Sequence, residues 1–169
     1  MLELGRSGSH GTERGTVPVL SGNAVVATLR SSRWKEAATA QVGDRVWVFG
    51  KQHRSLVGRW EVDPADAVRL RARPTSWWKS GWVLDLEGVA GEMSNTSWWR
   101  GTHRYTAGGR TVAQSGSTGG WSRRPTLTAA DELPLATQVF LLWLELVISR
   151  RNDAAVAGAT SAAVIGGTS

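Results

Sequence analysis

The chain is expected to fold as a mainly β protein, a closed antiparallel barrel of about 12 strands around a central hydrophobic C-terminal helix. Three observations predict this. From Leu2 to about Thr128, short alternating or β-branched runs recur, broken by glycine or polar turns every eight to twelve residues. Leu133 to Ile148 is the one long apolar segment. Tryptophan, ten copies against two phenylalanines and one tyrosine, recurs in one kind of corner.

Taken in order, the expected strands are Leu2–Gly5, Thr12–Val17, Ala24–Arg30, Glu36–Gln41, Arg45–Gly50, Ser55–Val62, Ala67–Ala72, Gly81–Leu86, Val89–Met93, Thr102–Tyr105, Thr111–Ser115 and one around Thr126. Turn chemistry supports antiparallel pairing of neighbours: Gly43-Asp44, Glu87-Gly88 and Gly108-Gly109 are hairpin-length connectors. A dozen strands in an open sheet would leave edges and curl, so closure is the natural solution. The lumen of such a barrel is too wide for its own side chains to fill, and the apolar segment is the plug.

That segment is placed as a helix near 131–150. At about 1.5 Å per residue it covers roughly 24 Å, short of the roughly 30 Å core of a bilayer, and it carries Glu145. Asp131 and Glu132 precede Pro134, as a helix start favours, and Arg150-Arg151 mark its expected end. Leucine, valine, phenylalanine, tryptophan and isoleucine leave almost no polar face, which predicts burial on all sides. Gln138 and Glu145 are the exceptions and share one side. A buried Glu145 needs an arginine or backbone donors, either as a structural salt bridge or as a carboxylate reaching the barrel mouth. Residues 1–151 are thus one domain. Residues 152–169, rich in Ala, Gly, Ser and Thr, are expected as a flexible tail whose start could extend the helix by a turn or two.

The formal charge of +6 and pI near 11.0 come mainly from arginine; Lys35, Lys51 and Lys79 are the only lysines. Such a balance attracts phosphate headgroups, nucleic acid or acidic proteins, although abundant Ala, Gly, Arg and Val also fit a GC-rich genome. Without cysteine there is no disulfide and no thiolate metal site. The first thirty residues lack the apolar run of a signal peptide, so cytoplasmic residence is expected, with membrane association if lipid is the partner.

Thr75-Ser76-Trp77-Trp78-Lys79-Ser80-Gly81 is echoed twenty-one residues later by Thr96-Ser97-Trp98-Trp99-Arg100-Gly101-Thr102, and more loosely around Trp34-Lys35 and Trp121-Ser122-Arg123-Arg124. The spacing equals one hairpin, so the repeat reads as duplicated strand pairs. Each corner joins an amphipathic ring to a cation. It suits a membrane interface, or a rim where tryptophan packs on the helix and arginine stacks on its face. Arg69, Arg71 and Arg73 alternate and so share one sheet face, as a solvated surface or as an anion-binding stripe.

Catalytic signals are sparse. His10, His53 and His103 are far apart, with no HExxH, Walker loop or GxSxG. Ser32 to Lys35 and Ser76 to Lys79 spell SxxK but fall in strand corners rather than at helix starts. Gly116-Ser117-Thr118-Gly119-Gly120 lacks the GKS/T and the βα unit of a phosphate loop. Asn95-Thr96-Ser97 is a glycosylation sequon relevant only to a secreted chain. No enzyme, cofactor or metal is expected; a tight pocket holding Glu145 beside His103 or His53 would reopen the enzymatic reading.

About twelve antiparallel strands with WWK-type corners and a terminal helix reading Leu133-Pro134-Leu135 through Phe140-Leu141-Leu142-Trp143-Leu144-Glu145-Leu146 resemble the Tubby C-terminal-like superfamily. That group includes the LURP-one-related and phospholipid scramblase-like proteins, and the likeness is closest to small members of actinobacterial type. It spans roughly Met1 to Arg151 and implies a barrel wrapped on a C-terminal helix, with membrane-lipid or nucleic-acid partners rather than chemistry. The acid-rich calcium loop associated with scramblase-like relatives has no counterpart here. The expected function is a non-enzymatic binding module for anionic phospholipid headgroups. Its candidate cations are Lys35, Arg69, Arg71, Arg73, Lys79, Arg100, Arg123 and Arg124, and Trp34, Trp78, Trp99 and Trp121 are its interfacial anchors. The alternatives are a nucleic-acid binder, unsupported by any motif, and a protein-interaction or structural barrel.

Overall fold

The computed structural model of the chain describes residues 1–32, 34–75, 81–97, 101–119 and 123–164, with side chains through Ala157. Twelve strands follow in chain order: β1 Leu2–Leu4, β2 Val17–Ser21, β3 Ala24–Ser31, β4 Ala38–Val42, β5 Arg45–Gln52, β6 Ser55–Trp60, β7 Leu70–Pro74, β8 Trp82–Leu86, β9 Val89–Ser97, β10 Thr102–Ala107, β11 Arg110–Thr118 and β12 Arg124–Ala129. Every strand pairs antiparallel with its neighbours in sequence, and β12 returns to β1 through Leu2↔Leu127 and Glu3↔Thr126. The sheet therefore has no edge. The expected closed barrel of twelve strands is the one observed.

Alternation decides which face is inside. On β5, Trp47 and Phe49 are buried; on β7, Leu70 and Ala72 are buried while Arg71 and Arg73 are exposed; on β8, Trp82, Leu84 and Leu86 are buried around exposed Val83 and Asp85. The apolar side faces the lumen and the outer wall is polar, the inverse of a barrel that lies in lipid. At Gly108-Gly109 both residues take positive φ, 56° and 77°, the two left-handed centres of a tight hairpin between β10 and β11.

Two strands differ from expectation. Thr12–Val17 is not a strand; β2 begins where that run was expected to end. Residues 6–16 satisfy their backbone on themselves, with Thr12 N–H bonded to Ser9 O, Thr16 N–H to Glu13 O and Gly15 N–H to Ser7 Oγ, leaving the ladder to Val17–Ser21. Pro18 is tolerated near the strand start because it serves as an acceptor, its carbonyl taking the Gly5 N–H at 2.8 Å. Likewise β7 starts at Leu70 rather than Ala67. The preceding segment is pinned by Arg59, whose Nη1 donates to the carbonyls of Trp60, Glu61 and Asp63.

The helix, α1, runs Leu135–Val164. Val139 through Leu144 are all 0% exposed, so the helix is enclosed on every side by the sheet. Phe49 sits 5.4 Å from the Phe140 ring and 5.3 Å from Trp143, and Gly58 on the next strand makes room for it: a Cβ there would lie 3.1 Å from the Phe49 ring. Burial of this inner surface, roughly 25 cal/mol per Å², is the driving term that closes the barrel.

The helix end is a correction. Arg150-Arg151 do not terminate it; thirty residues at about 1.5 Å give about 45 Å, and the helix carries on into the segment expected as a tail. Alanine is the best helix former, and a helix already nucleated inside the barrel propagates cheaply through Ala154, Ala155 and Ala157.

Candidate functional site

An up-and-down meander sorts its connections between two rims. The links from β1 to β2, β3 to β4, β5 to β6, β7 to β8, β9 to β10 and β11 to β12 all lie at one end, and the remaining links lie at the other together with the one that leads into α1. Trp34, the corner tryptophan among the described residues, belongs to the first set. Among the described residues that set's linking segments carry Arg6, Arg14, Lys35, Arg54 and Arg123 against Glu13 and Glu36. The segments of the opposite rim carry Asp44, Glu61, Asp63, Asp66, Glu87, Asp131 and Glu132 against Arg69 alone. Among the described residues, five bases to two acids become one base to seven. A net charge of +6 is thus a strongly polar distribution rather than an even one.

The helix leaves the lumen through the basic rim. Arg150 Nη1 donates to Ser31 Oγ and the Ser32 carbonyl, both at 3.0 Å. Arg151 forms a fork on Glu36, Nε to Oε1 at 2.6 Å and Nη2 to Oε2 at 2.8 Å, and its guanidinium lies 5.4 Å from the Trp82 ring. Lys51 adds a contact to Glu36 at 3.4 Å. The Arg151 hydrogen bonds hold the Glu36 carboxyl below its ordinary value. The residues read as a helix stop are the collar that fixes the helix where it emerges.

Trp34 stands at the tip of the β3–β4 link, 95% exposed, with exposed Lys35 beside it. At this corner the ring packs on nothing, which removes the rim-packing reading there. Arg123 and Arg73 are exposed and Arg124 half-buried, all three toward this rim, while Arg71 is exposed on the outer wall nearer the other. Lys79, Arg100, Trp78, Trp99 and Trp121 lie outside the described residues.

Arg69 is a correction. It lies at the acidic rim, donating from Nε to Asp63 Oδ2 at 2.6 Å and from Nη2 to Oδ1 at 3.2 Å, and stacks 3.5 Å over Trp60, whose ring also meets Arg45 at 4.1 Å. The Arg69 side chain is committed to structure, so the expected three-arginine stripe breaks.

Inside the barrel, near the basic rim, Glu145 is 5% exposed. Its partners are side chains, not the arginine or backbone donors expected. Tyr105 O–H donates to Oε1, and His103 Nδ1 lies 2.9 Å from Oε1 and 3.0 Å from Oε2. A carboxylate only accepts, so Nδ1 carries the hydrogen and Nε2 is the nitrogen left without a partner among the described residues. His103 N–H is bonded to Ser115 Oγ at 2.8 Å, which fixes the backbone beneath the ring. Burial, reinforced by Glu145, pushes the Tyr105 phenol well above its ordinary value of 10.0, so it stays a donor. His103 and Tyr105 alternate on β10 and therefore share the inner face, a signal available in the sequence beside Glu145.

A cavity of about 230 Å³ opens at this point, lined by Gly101, His103, Gly116, Ser117, Arg123, Pro125, Glu145, Ile148, Ser149, Asn152 and Asp153, and it sets Glu145 beside His103, the arrangement named above as reopening the enzymatic reading. A pocket of about 540 Å³ lies at the acidic rim where the helix enters, lined largely by apolar residues including Leu86, Val89, Val112, Leu133 and Pro134. Among the described residues no cluster of His, Asp and Glu could hold a metal ion, and no helix is long and apolar enough to cross a membrane. No protein family, curated protein or solved structure matches the chain.

Proposed function

We propose that the protein is a non-enzymatic binding module that lays its basic, tryptophan-bearing rim on an anionic phospholipid surface in the cytoplasm. The carrying observation is the segregation of charge: among the described residues, the rim that bears the exposed Trp34 is the rim whose links gather the cations. Each Lys or Arg near an anionic leaflet contributes about 1 kcal/mol, and an exposed indole such as Trp34 suits headgroup depth. Membership in the Tubby C-terminal-like superfamily belongs to the same proposal; its support is the closed barrel around a C-terminal helix together with the repeated corners.

Sedimentation of the protein with neutral and anionic vesicles at low and moderate salt, with a single-stranded oligonucleotide as competitor, tests the reading. Binding to anionic vesicles alone that resists the competitor is the expected result. Displacement by the oligonucleotide with a steep salt dependence would transfer the rim to nucleic acid. Absence of binding to both would leave the barrel as a scaffold for protein partners.

A further inference from the structure

A lumen filled by an apolar helix has no structural need of a carboxylate at position 145; leucine would complete the surface without a desolvation cost. The chain instead carries Glu145 inside and surrounds it with Tyr105 and His103, and this trio opens at one place, the cavity of about 230 Å³ at the basic rim. The polar groups gathered there are His103, Arg123, Ser117, Ser149, Asn152 and Asp153. Glu145 is occupied by its two donors. Arg123 is exposed and makes no ion pair among the described residues, whereas the neighbouring Arg150 and Arg151 are committed to the helix collar. The volume would hold several waters, each with about 30 Å³ as its share of the liquid, or one compact headgroup.

We infer that this cavity binds the terminal phosphate of a phosphomonoester, with the Arg123 guanidinium and His103 Nε2 as its principal contacts. Three features select that group. Arginine matches phosphate oxygens with a planar fork of donors. The hydroxyls of Ser117 and Ser149 and the amide of Asn152 add neutral donors suited to a group with several acceptor oxygens. A phosphomonoester near neutral pH exchanges between forms with and without an O–H, so it can meet Nε2 as donor or acceptor, while Glu145 holds the other ring nitrogen fixed. The lipid source of the phosphate rests on the rim reading above; the pocket chemistry does not.

The test uses the full chain in two arms. In the first, inorganic phosphate and glycerol 3-phosphate are titrated while the His103 imidazole resonances are followed by NMR. Saturable shifts are expected, weakened at least tenfold in Arg123→Gln and lost with the ring in His103→Phe. Arg123 is exposed, so the first variant keeps the test valid should the second unfold. In the second arm, vesicles containing phosphatidic acid, whose headgroup is a phosphomonoester, are compared with phosphatidylglycerol vesicles of matched surface charge. Severalfold tighter binding to phosphatidic acid, abolished by Arg123→Gln, supports a lipid headgroup. Shifts with soluble phosphate but no vesicle binding support the pocket and refute the rim. No imidazole shift together with equal binding to both vesicles overturns the pocket and leaves the rim reading standing. Shifts of equal size in wild type and Arg123→Gln also overturn it.

Discussion

The two rims of the barrel are made by the same device, a run of hairpin links, yet among the described residues the links of one gather cations beside Trp34 and those of the other gather carboxylates. Strand pairing does not require this, because charge in a link is invisible to the ladder inside the wall. What differs is how the cations are used. At the acidic rim Arg69 is absorbed by Asp63 and Trp60, whereas at the basic rim Lys35 and Arg123 stand exposed with no ion pair among the described residues. Exposed Arg71 and Arg110 also stand toward the acidic rim, but among its carboxylates, whereas the open cations of the basic rim have few acids beside them.

The sharpest way to break the comparison is to reverse it. Combined Lys35→Glu, Arg73→Glu, Arg123→Glu and Arg124→Glu removes four cations worth about 1 kcal/mol each at an anionic surface, so vesicle affinity should fall by roughly a thousandfold or more. The melting temperature should move little. The control is Asp44→Lys, Asp66→Lys and Asp131→Lys at the other rim, all exposed, which should change binding little. A gain from the second set comparable, charge for charge, to the loss from the first would show that only net charge matters and the rims are equivalent.

The same division continues inside. Toward the basic rim Glu145 is met by side chains from a distant strand, while toward the acidic rim the Gln138 side-chain amide donates to the nearby Leu133 carbonyl at 2.7 Å. Glu145→Ala orphans two buried donors and should cost roughly 3 kcal/mol, whereas Gln138→Ala should cost about 1 kcal/mol. Urea denaturation reads both. If the two costs were alike, the trio would be ordinary packing. Smaller again, Arg69→Ala should lower the melting temperature by a few degrees through loss of the Asp63 fork while leaving vesicle binding untouched, the reverse of what Arg123→Gln does.

Much of this architecture was legible in the chain because it depends on local pattern. Alternation located ten strands to within a few residues, hairpin dipeptides marked the links, and the absence of a polar face placed the helix in the lumen. Two kinds of feature were not legible. Where a backbone spends its hydrogen bonds on itself, as in residues 6–16, alternation alone cannot tell strand from loop, so β2 was expected too early. Side-chain partners chosen across the barrel were hidden as well: Glu145 announced that it needed donors, but His103 lies 42 positions away and Tyr105 lies 40 away. Arg151 was misread for the same reason, since its partner Glu36 is 115 positions off and only closure brings them together. The rim segregation needed topology and nothing else; the charges were in view, but sorting them required knowing that alternate links share an end.

The collar offers the finest test of the basic rim's own construction. Glu36 is held below its ordinary value of 4.5 by the Arg151 hydrogen bonds, so its folded form binds a proton less readily than its unfolded form. Stability from this contact is therefore fully present above about pH 4.5 and is lost as the pH falls through the lower, folded value. The site is about a quarter exposed, with 27% of the Glu36 side chain accessible, so the contribution should be no more than about 1 kcal/mol. Glu36→Gln should be slightly less stable than wild type at pH 7 and converge with it toward pH 3, as read by urea midpoints across that range. Asp63, held low by Arg69 at the other rim, has the same sign, so Asp63→Asn should converge in the same direction. The distinction lies in what each contact holds: loss of the Glu36 fork loosens the helix where it leaves the barrel, so hydrogen exchange should quicken around residues 148–157 in Glu36→Gln and around residues 60–69 in Asp63→Asn. Faster exchange of the helix end in both variants would mean that the rims are coupled through the lumen rather than separately built.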